Sequence, residues 1–163
     1  MRVGILSDTH DELDRTRQAV ERLCAEGVSA LIHCGDLTSP PIVAACSVLP
    51  SYFTLGNHDA DAVPELRSAA IEYGAVCLGW GGIVELNGKK IGVAHGHLTS
   101  DLQKVLVESP DYLLTGHLHF PMITYTGNVR RINPGALHRA AEYTVAVLDL
   151  ATDEVRTVHI AER

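Results

Sequence analysis

The chain has 163 residues, 46% of them hydrophobic and 20% charged, which fits one globular domain over 1–163 and excludes disordered and fibrous classes. Folding at this length hides roughly 70% of the unfolded chain's surface, so the four widely spaced cysteines (Cys24, Cys34, Cys46, Cys77) are read as buried free thiols rather than a disulfide framework. Thirteen basic against twenty acidic residues give a net charge of −7 with no basic run, so long nucleic acid and anionic membrane surfaces are disfavoured as partners; with no stretch apolar enough for a leader or membrane span, a cytoplasmic location is expected.

Val3 to Leu6 reads as a short buried strand that stops at polar Ser7-Asp8-Thr9-His10. Asp11 to Glu26 follows as an amphipathic helix closed by Gly27. Ala30 to Cys34 is a second strand ending at Gly35-Asp36, and Ser39-Pro40-Pro41 opens a helical segment running to Leu49. Ser51 to Leu55 repeats the strand pattern before Gly56-Asn57-His58-Asp59, and a third helix spans Val63 to Tyr73, closed by Gly74. From Val76 onward strands dominate. Ile83 to Val93 is a hairpin around Asn87-Gly88, whose second strand runs into His95-Gly96-His97. Ser100 to Glu108 is a short helix, and Tyr112 to Leu114 a strand delivered into Gly116-His117-Leu118-His119. Met122 to Tyr125, Val129 to Ile132, Tyr143 to Leu148 and Val155 to Ile160 read as antiparallel strands joined by turns.

Five strand ends thus deliver Asp8 and His10, Asp36, Asn57 and His58, His95 and His97, and His117 and His119. All are oxygen or imidazole donors, suited to divalent Mn, Fe, Zn, Ni or Co, and no thiolate is among them. Residues two apart on an extended strand share a face, so Asp8 with His10 and His117 with His119 are each expected to aim at one centre. The adjoining glycines (Gly35, Gly56, Gly96, Gly116) allow sharp turns where the strands end. The donors outnumber what one tetrahedral ion uses. Two ions sharing a carboxylate would account for them, an arrangement suited to in-line displacement at phosphorus.

The ordered set Asp8-x-His10, Gly35-Asp36, Gly56-Asn57-His58-Asp59, His95-Gly96-His97 and Gly116-His117-Leu118-His119 resembles the calcineurin-like metallophosphoesterase superfamily, in particular its small single-domain phosphodiesterase branch. Asn133-Pro134-Gly135 also looks like that branch's late signature. The resemblance implies a four-layer α/β/β/α sandwich of two mixed β-sheets flanked by helices. It implies two divalent metal ions, Mn foremost with Ni, Fe, Co or Zn as alternatives. Asp8, His10 and His119 would hold the first, Asn57, His95 and His117 the second, and Asp36 would bridge them. A bridging hydroxide would attack a small phosphoester substrate, with His58 protonating the leaving oxygen and Asp59 orienting its imidazole.

The chain departs from the small branch at His58, where another residue is common, and at Ala136, where a Ser is usual. His58 keeps phosphomonoesterase or cyclic-nucleotide phosphodiesterase activity open beside phosphodiester hydrolysis. A non-catalytic protein-binding scaffold on the same fold is the reading from another class, against which the intact ligand set argues. His97, His138 and Arg139 are further candidates for contacting the site, whereas His33 and His159 read as ordinary histidines. The length leaves no room for a cap domain, so an open site is expected, and antiparallel edges leave a homodimer open.

Overall fold

The computed structural model describes residues 1–161. Eleven strands form two sheets: β1 (Arg2–Leu6), β2 (Ala30–His33), β3 (Ser51–Phe53), β4 (Val76–Cys77), β5 (Gly81–Leu86), β6 (Lys89–Ala94), β7 (Tyr112–Leu114), β8 (Pro121–Thr126), β9 (Val129–Pro134), β10 (Thr144–Asp149) and β11 (Glu154–His159). Four helices accompany them: α1 (Leu13–Ala25), α2 (Pro40–Cys46), α3 (Val63–Tyr73) and α4 (Thr99–Val107). The first sheet has the order β11-β10-β1-β2-β3-β4 and the second β5-β6-β7-β9-β8. Both are mixed: β1 to β4 run parallel while β10 and β11 are antiparallel, and β6, β7 and β9 run parallel between antiparallel edges β5 and β8.

Strand alternation sorts the apolar side chains into three layers of core. Val3, Ile5, Ile32, Cys34, Ala146 and Leu148 of the first sheet meet Val84, Ile91, Val93, Leu114 and Ile132 of the second. Leu6, Leu31, Val145 and Val147 face the other way, onto Ala19, Val20 and Leu23 of α1, Ile42 of α2 and Leu66 of α3. Ala94 and Leu113 face outward from the second sheet onto Val105, Leu102 and Leu106 of α4. The architecture is therefore helices, sheet, sheet, helix. Gly4 lets α1 lie close on β1, since a Cβ there would fall 3.1 Å from Leu23 Cδ1 of α1, as well as 2.7 Å from Leu31 Cδ2 of β2.

The local signals act as their chemistry dictates. Gly74 closes α3 in the left-handed region at φ 71°, and Asn87-Gly88 turns the β5–β6 hairpin with φ 50° and 74°. Helix α1 begins at Leu13 rather than Asp11, because Asp11 is itself left-handed (φ 63°) within a turn closed by the Glu12 amide on the Thr9 carbonyl. Two elements carry little sequence signal: the two-residue β4, and the 3₁₀ turn Asn57–Ala62. Among the cysteines Cys34 and Cys46 are buried, whereas Cys24 is exposed on α1 and Cys77 is half-buried, so the expectation of four buried thiols holds for two.

Candidate active site

The C-terminal ends of β1, β2, β3, β6 and β7 open onto one edge of the sandwich, the position where parallel α/β sheets hold their ligands. The residues there leave the strands by left-handed turns. Asp8, His10, Asp36, His117 and His119 have φ between 42° and 71°, a region that Asp and His enter more readily than most residues. This changes how the pairs are aimed. Strand alternation does not apply to residues outside extended backbone, and His117 and His119 diverge: the His117 ring lies edge-on to His95 at 5.2 Å between centroids, and the His119 ring lies tilted against His10 at 5.6 Å. The shared-face expectation fails for this pair.

Asp36 stands at the middle. Its Oδ2 lies 3.4 Å from His10 Nε2 and 3.3 Å from His95 Nε2, while Oδ1 accepts the His58 amide at 2.9 Å. Asp8 Oδ1 lies 3.1 Å from His119 Nε2 and 3.9 Å from both His10 and His95 Nε2. Its other oxygen is occupied by the Ser7 hydroxyl at 2.6 Å and the His117 amide at 3.0 Å. The His95 Nδ1–H donates to the Cys34 carbonyl at 2.8 Å, which leaves Nε2 bare, and His119 makes the same contact to the Arg139 carbonyl at 3.3 Å. Asp8 Oδ1, His10 Nε2 and His95 Nε2 are buried without any hydrogen-bond partner. Unsatisfied buried acceptors are costly, and three of them converging on one carboxylate fit divalent cations. The ligand atoms of Asp8, His10 and His119, of His10, Asp36 and His58, and of Asp8, Asp36 and His95 each lie within 4.8 Å of one another.

The electrostatics express the same crowding. Burial presses the His10 imidazole toward neutrality and prevails over Asp36 and Asp8, so its pKa falls. At His95 burial is outweighed by the adjoining carboxylates of Asp36 and Asp8, so its pKa rises. Burial of Asp36 is likewise outweighed by the adjacent His95 imidazole and by the His58 amide on Oδ1, which hold the carboxyl down at about 2. Two glycines permit this density. A Cβ on Gly56 would fall 2.1 Å from Asp36 Oδ1, and one on Gly116 would fall 1.9 Å from Ser7 Oγ and 2.7 Å from Asp8 Oδ2.

Asn57 and His58 are exposed at the start of the 3₁₀ turn, with the His58 ring 4.9 Å from that of His10. Asp59, expected to orient the His58 imidazole, directs its carboxylate to backbone amides. It is fully buried, and its carboxylate accepts the backbone N–H groups of Asp36 (2.8 Å), Thr38 (2.7 Å) and Gly56 (2.7 Å), holding two ligand loops together. His33 is a buried strut: Nδ1 accepts the Gly35 amide at 3.1 Å, Nε2 donates to Thr9 Oγ1 at 3.0 Å, and burial lowers its pKa to about 3.

His138 reaches the site, 4.8 Å from the His10 ring with Nδ1 3.1 Å from Glu12 Oε1. Arg139 contributes its carbonyl to His119, and its side chain is exposed. His97 lies 5.4 Å from His95 and 6.2 Å from His117, ring to ring. Sequence reasoning missed Ser7 and Glu12, and gave no role to Asn133, whose amide donates to the Gly116 carbonyl at 2.8 Å while its oxygen accepts the Gly135 amide at 3.0 Å. The run Asn133-Pro134-Gly135 was the only signal for it.

The family model of the calcineurin-like phosphoesterase superfamily domain matches residues 1–153. The chain is 28% identical to a phosphodiesterase of Methanocaldococcus jannaschii over 97% of its own length and 98% of that protein. It is 30% identical to a probable metallophosphoesterase of Methanothermobacter thermautotrophicus over 91% of its length and 85% of that protein. Among solved structures, an archaeal phosphodiesterase superposes with a TM-score of 0.86 at 28% identity, covering 98% of this chain and 100% of the other.

Proposed function

The chain belongs to the calcineurin-like phosphoesterase superfamily, and on that premise we propose that it hydrolyses small phosphodiesters with two divalent metal ions. The observation that carries this reading is Asp36 Oδ2 midway between the Nε2 atoms of His10 and His95, both buried and unpartnered together with Asp8 Oδ1. Asp8, His10 and His119 would hold one cation, Asn57, His95 and His117 the other, with Asp36 between them. When bound, such a pair of cations lowers the pKa of water and offsets charge on the phosphoryl oxygens.

The chain's own residues prepare the rest. Ser7 and the His117 amide occupy one oxygen of Asp8 and so present the other inward. The Cys34 and Arg139 carbonyls fix the rings of His95 and His119 with Nε2 toward the centre. His58, exposed beside His10 and anchored through its amide to Asp36, would be the group that passes a proton to a departing alkoxide or phenoxide.

The test is turnover of a chromogenic phosphodiester and its matching monoester by metal-stripped protein, after separate addition of Mn, Ni, Co, Zn or Mg. Diester turnover restored by a transition metal and abolished by Asp36→Asn supports the proposal, and a lower kcat in His58→Ala supports the acid role. Faster monoester than diester turnover would shift the substrate class, and no turnover with any metal in folded protein would overturn the enzymatic reading.

A further inference from the structure

Trp80 is the chain's only tryptophan. It is 37% exposed and packs into none of the three buried apolar clusters among the described residues. Its loop is tied down at the preceding residue. The preceding Gly79 carbonyl accepts the Leu55 amide at 2.7 Å and the Thr54 hydroxyl at 2.9 Å, which ties its loop to the end of β3, just before Asn57 and His58. Its ring centroid lies 6.1 Å from that of His97, which in turn lies 5.4 Å from His95 and 6.2 Å from His117. A row of rings therefore runs from the candidate metal ligands outward to Trp80. Leu98, next to His97, is 48% exposed, and His97 Nδ1 is buried without a hydrogen-bond partner.

These features suit a flat apolar group joined through a few bonds to a phosphorus held at the ligands. A large indole outside the core offers a face at low conformational cost, and the half-buried His97 ring carries that surface inward to the candidate ligands. We infer that Trp80 and His97 form a shelf that stacks the planar aromatic group of the substrate, a nucleobase or an aryl ester, and that this shelf sets the preference among phosphodiesters. The inference rests on the phosphodiesterase reading for its substrate, but not for its test, because binding is read without turnover.

As the only tryptophan, Trp80 reports directly. Its emission, excited selectively, is followed while adenosine monophosphate, phenyl phosphate, methyl phosphate or inorganic phosphate is added to Zn-loaded protein, with calorimetry measuring binding of each in parallel. Both aromatic ligands are expected to change the emission saturably, and the other two to bind without doing so. A base that binds while phenyl phosphate does not would assign the shelf to nucleotides; the reverse would assign it to aryl esters. Equal changes with all four ligands, no change with any, or no detectable binding of either aromatic ligand overturns the shelf.

The second arm is kinetic. Because stacking on an aromatic side chain contributes to binding whatever the base, Trp80→Leu is expected to raise KM for an aryl or nucleoside diester about tenfold more than KM for a dialkyl phosphodiester, with Trp80→Phe restoring most of the difference. An equal loss on both substrate types, in protein with an unchanged melting temperature, refutes the shelf while leaving the hydrolase reading intact. Absent turnover combined with selective emission changes refutes the hydrolase reading and leaves the shelf.

Discussion

Replacing Asp59 separates two roles for a carboxylate that sits next to His58 in sequence. Its oxygens accept three backbone N–H groups, from Asp36 and Gly56 on Oδ2 and from Thr38 on Oδ1. In Asp59→Asn the amide oxygen can keep the first two donors, but the NH2 group then confronts the Thr38 N–H. One hydrogen bond to a charged group is lost, about 1.5–3 kcal/mol. In Asp59→Ala all three donors lose their partner, at about 1–3 kcal/mol each, a large part of the roughly 5–15 kcal/mol that holds a domain folded. Urea unfolding should therefore show Asp59→Asn folded and about 2 kcal/mol less stable, with weaker cation binding by calorimetry because Thr38, two residues beyond Asp36, comes loose from Asp59. Asp59→Ala should be close to unfolded. The exposed His58→Ala should stay within about 0.5 kcal/mol of the parent. An Asp59→Asn protein of parental stability and cation affinity, with slow turnover and a displaced pH profile, would refute this reasoning and return Asp59 to the His58 imidazole.

Three other outcomes follow from the geometry. The folded-state pKa of His33 is lowered from 6.5 to about 3, so the unfolded chain binds the extra proton, and stability present above pH 6.5 is lost as pH falls toward 3, by up to about 1.4 kcal/mol per pH unit. His33→Gln should flatten that part of the stability curve, and an unchanged slope would place the titration elsewhere. Gly56→Ala sets a methyl 2.6 Å from the Asp36 backbone nitrogen, which cannot yield as a flexible side chain can, so the variant should lose about 1–3 kcal/mol by urea unfolding and most of its cation affinity. A divalent cation at a hundred times its dissociation constant should add about 2.7 kcal/mol to stability, and so raise Tm by about 5–10 °C. The same titration in buffers of different ionisation enthalpy should reveal released protons, since the raised pKa of His95 favours a proton where the cation would sit. Asp36→Asn should reduce both effects.

Much of the architecture was legible because the signals were local. Apolar runs stopping at Ser7-Asp8, Gly35-Asp36 and Gly56-Asn57 marked strand ends, and Gly74 and Asn87-Gly88 marked a helix stop and a hairpin. The gathering of Asp8, His10, Asp36, His95 and His119 followed from order along the chain, and the structure brings their ligand atoms together. What stayed hidden was non-local or depended on backbone hand. Nothing in Gly116-His117-Leu118-His119 announces left-handed φ at both histidines, and that sends their rings to opposite flanks. The burial of Asp59 under three amides depends on loops 21 and 23 residues away. The parallel pairing of β9 with β7 could not be read from a segment that looks like one arm of the β8–β9 hairpin.

The place of β1 in its sheet has a consequence for how the chain is made. On one side β1 pairs with β2, some 27 residues on, but on the other it pairs with β10, where Gly4 lies opposite Val147. The Asp8 carbonyl likewise waits for the Leu137 amide. During synthesis, the strand that ends in Asp8 and His10 therefore keeps an open flank until Thr144–Asp149 has emerged. A nascent or truncated chain lacking β10 would carry most of the candidate ligands on an unclosed sheet, a sticky and metal-scavenging intermediate. The order of strands thus makes the arrival of β10 the step that seals the first sheet and fixes the first two ligands in place.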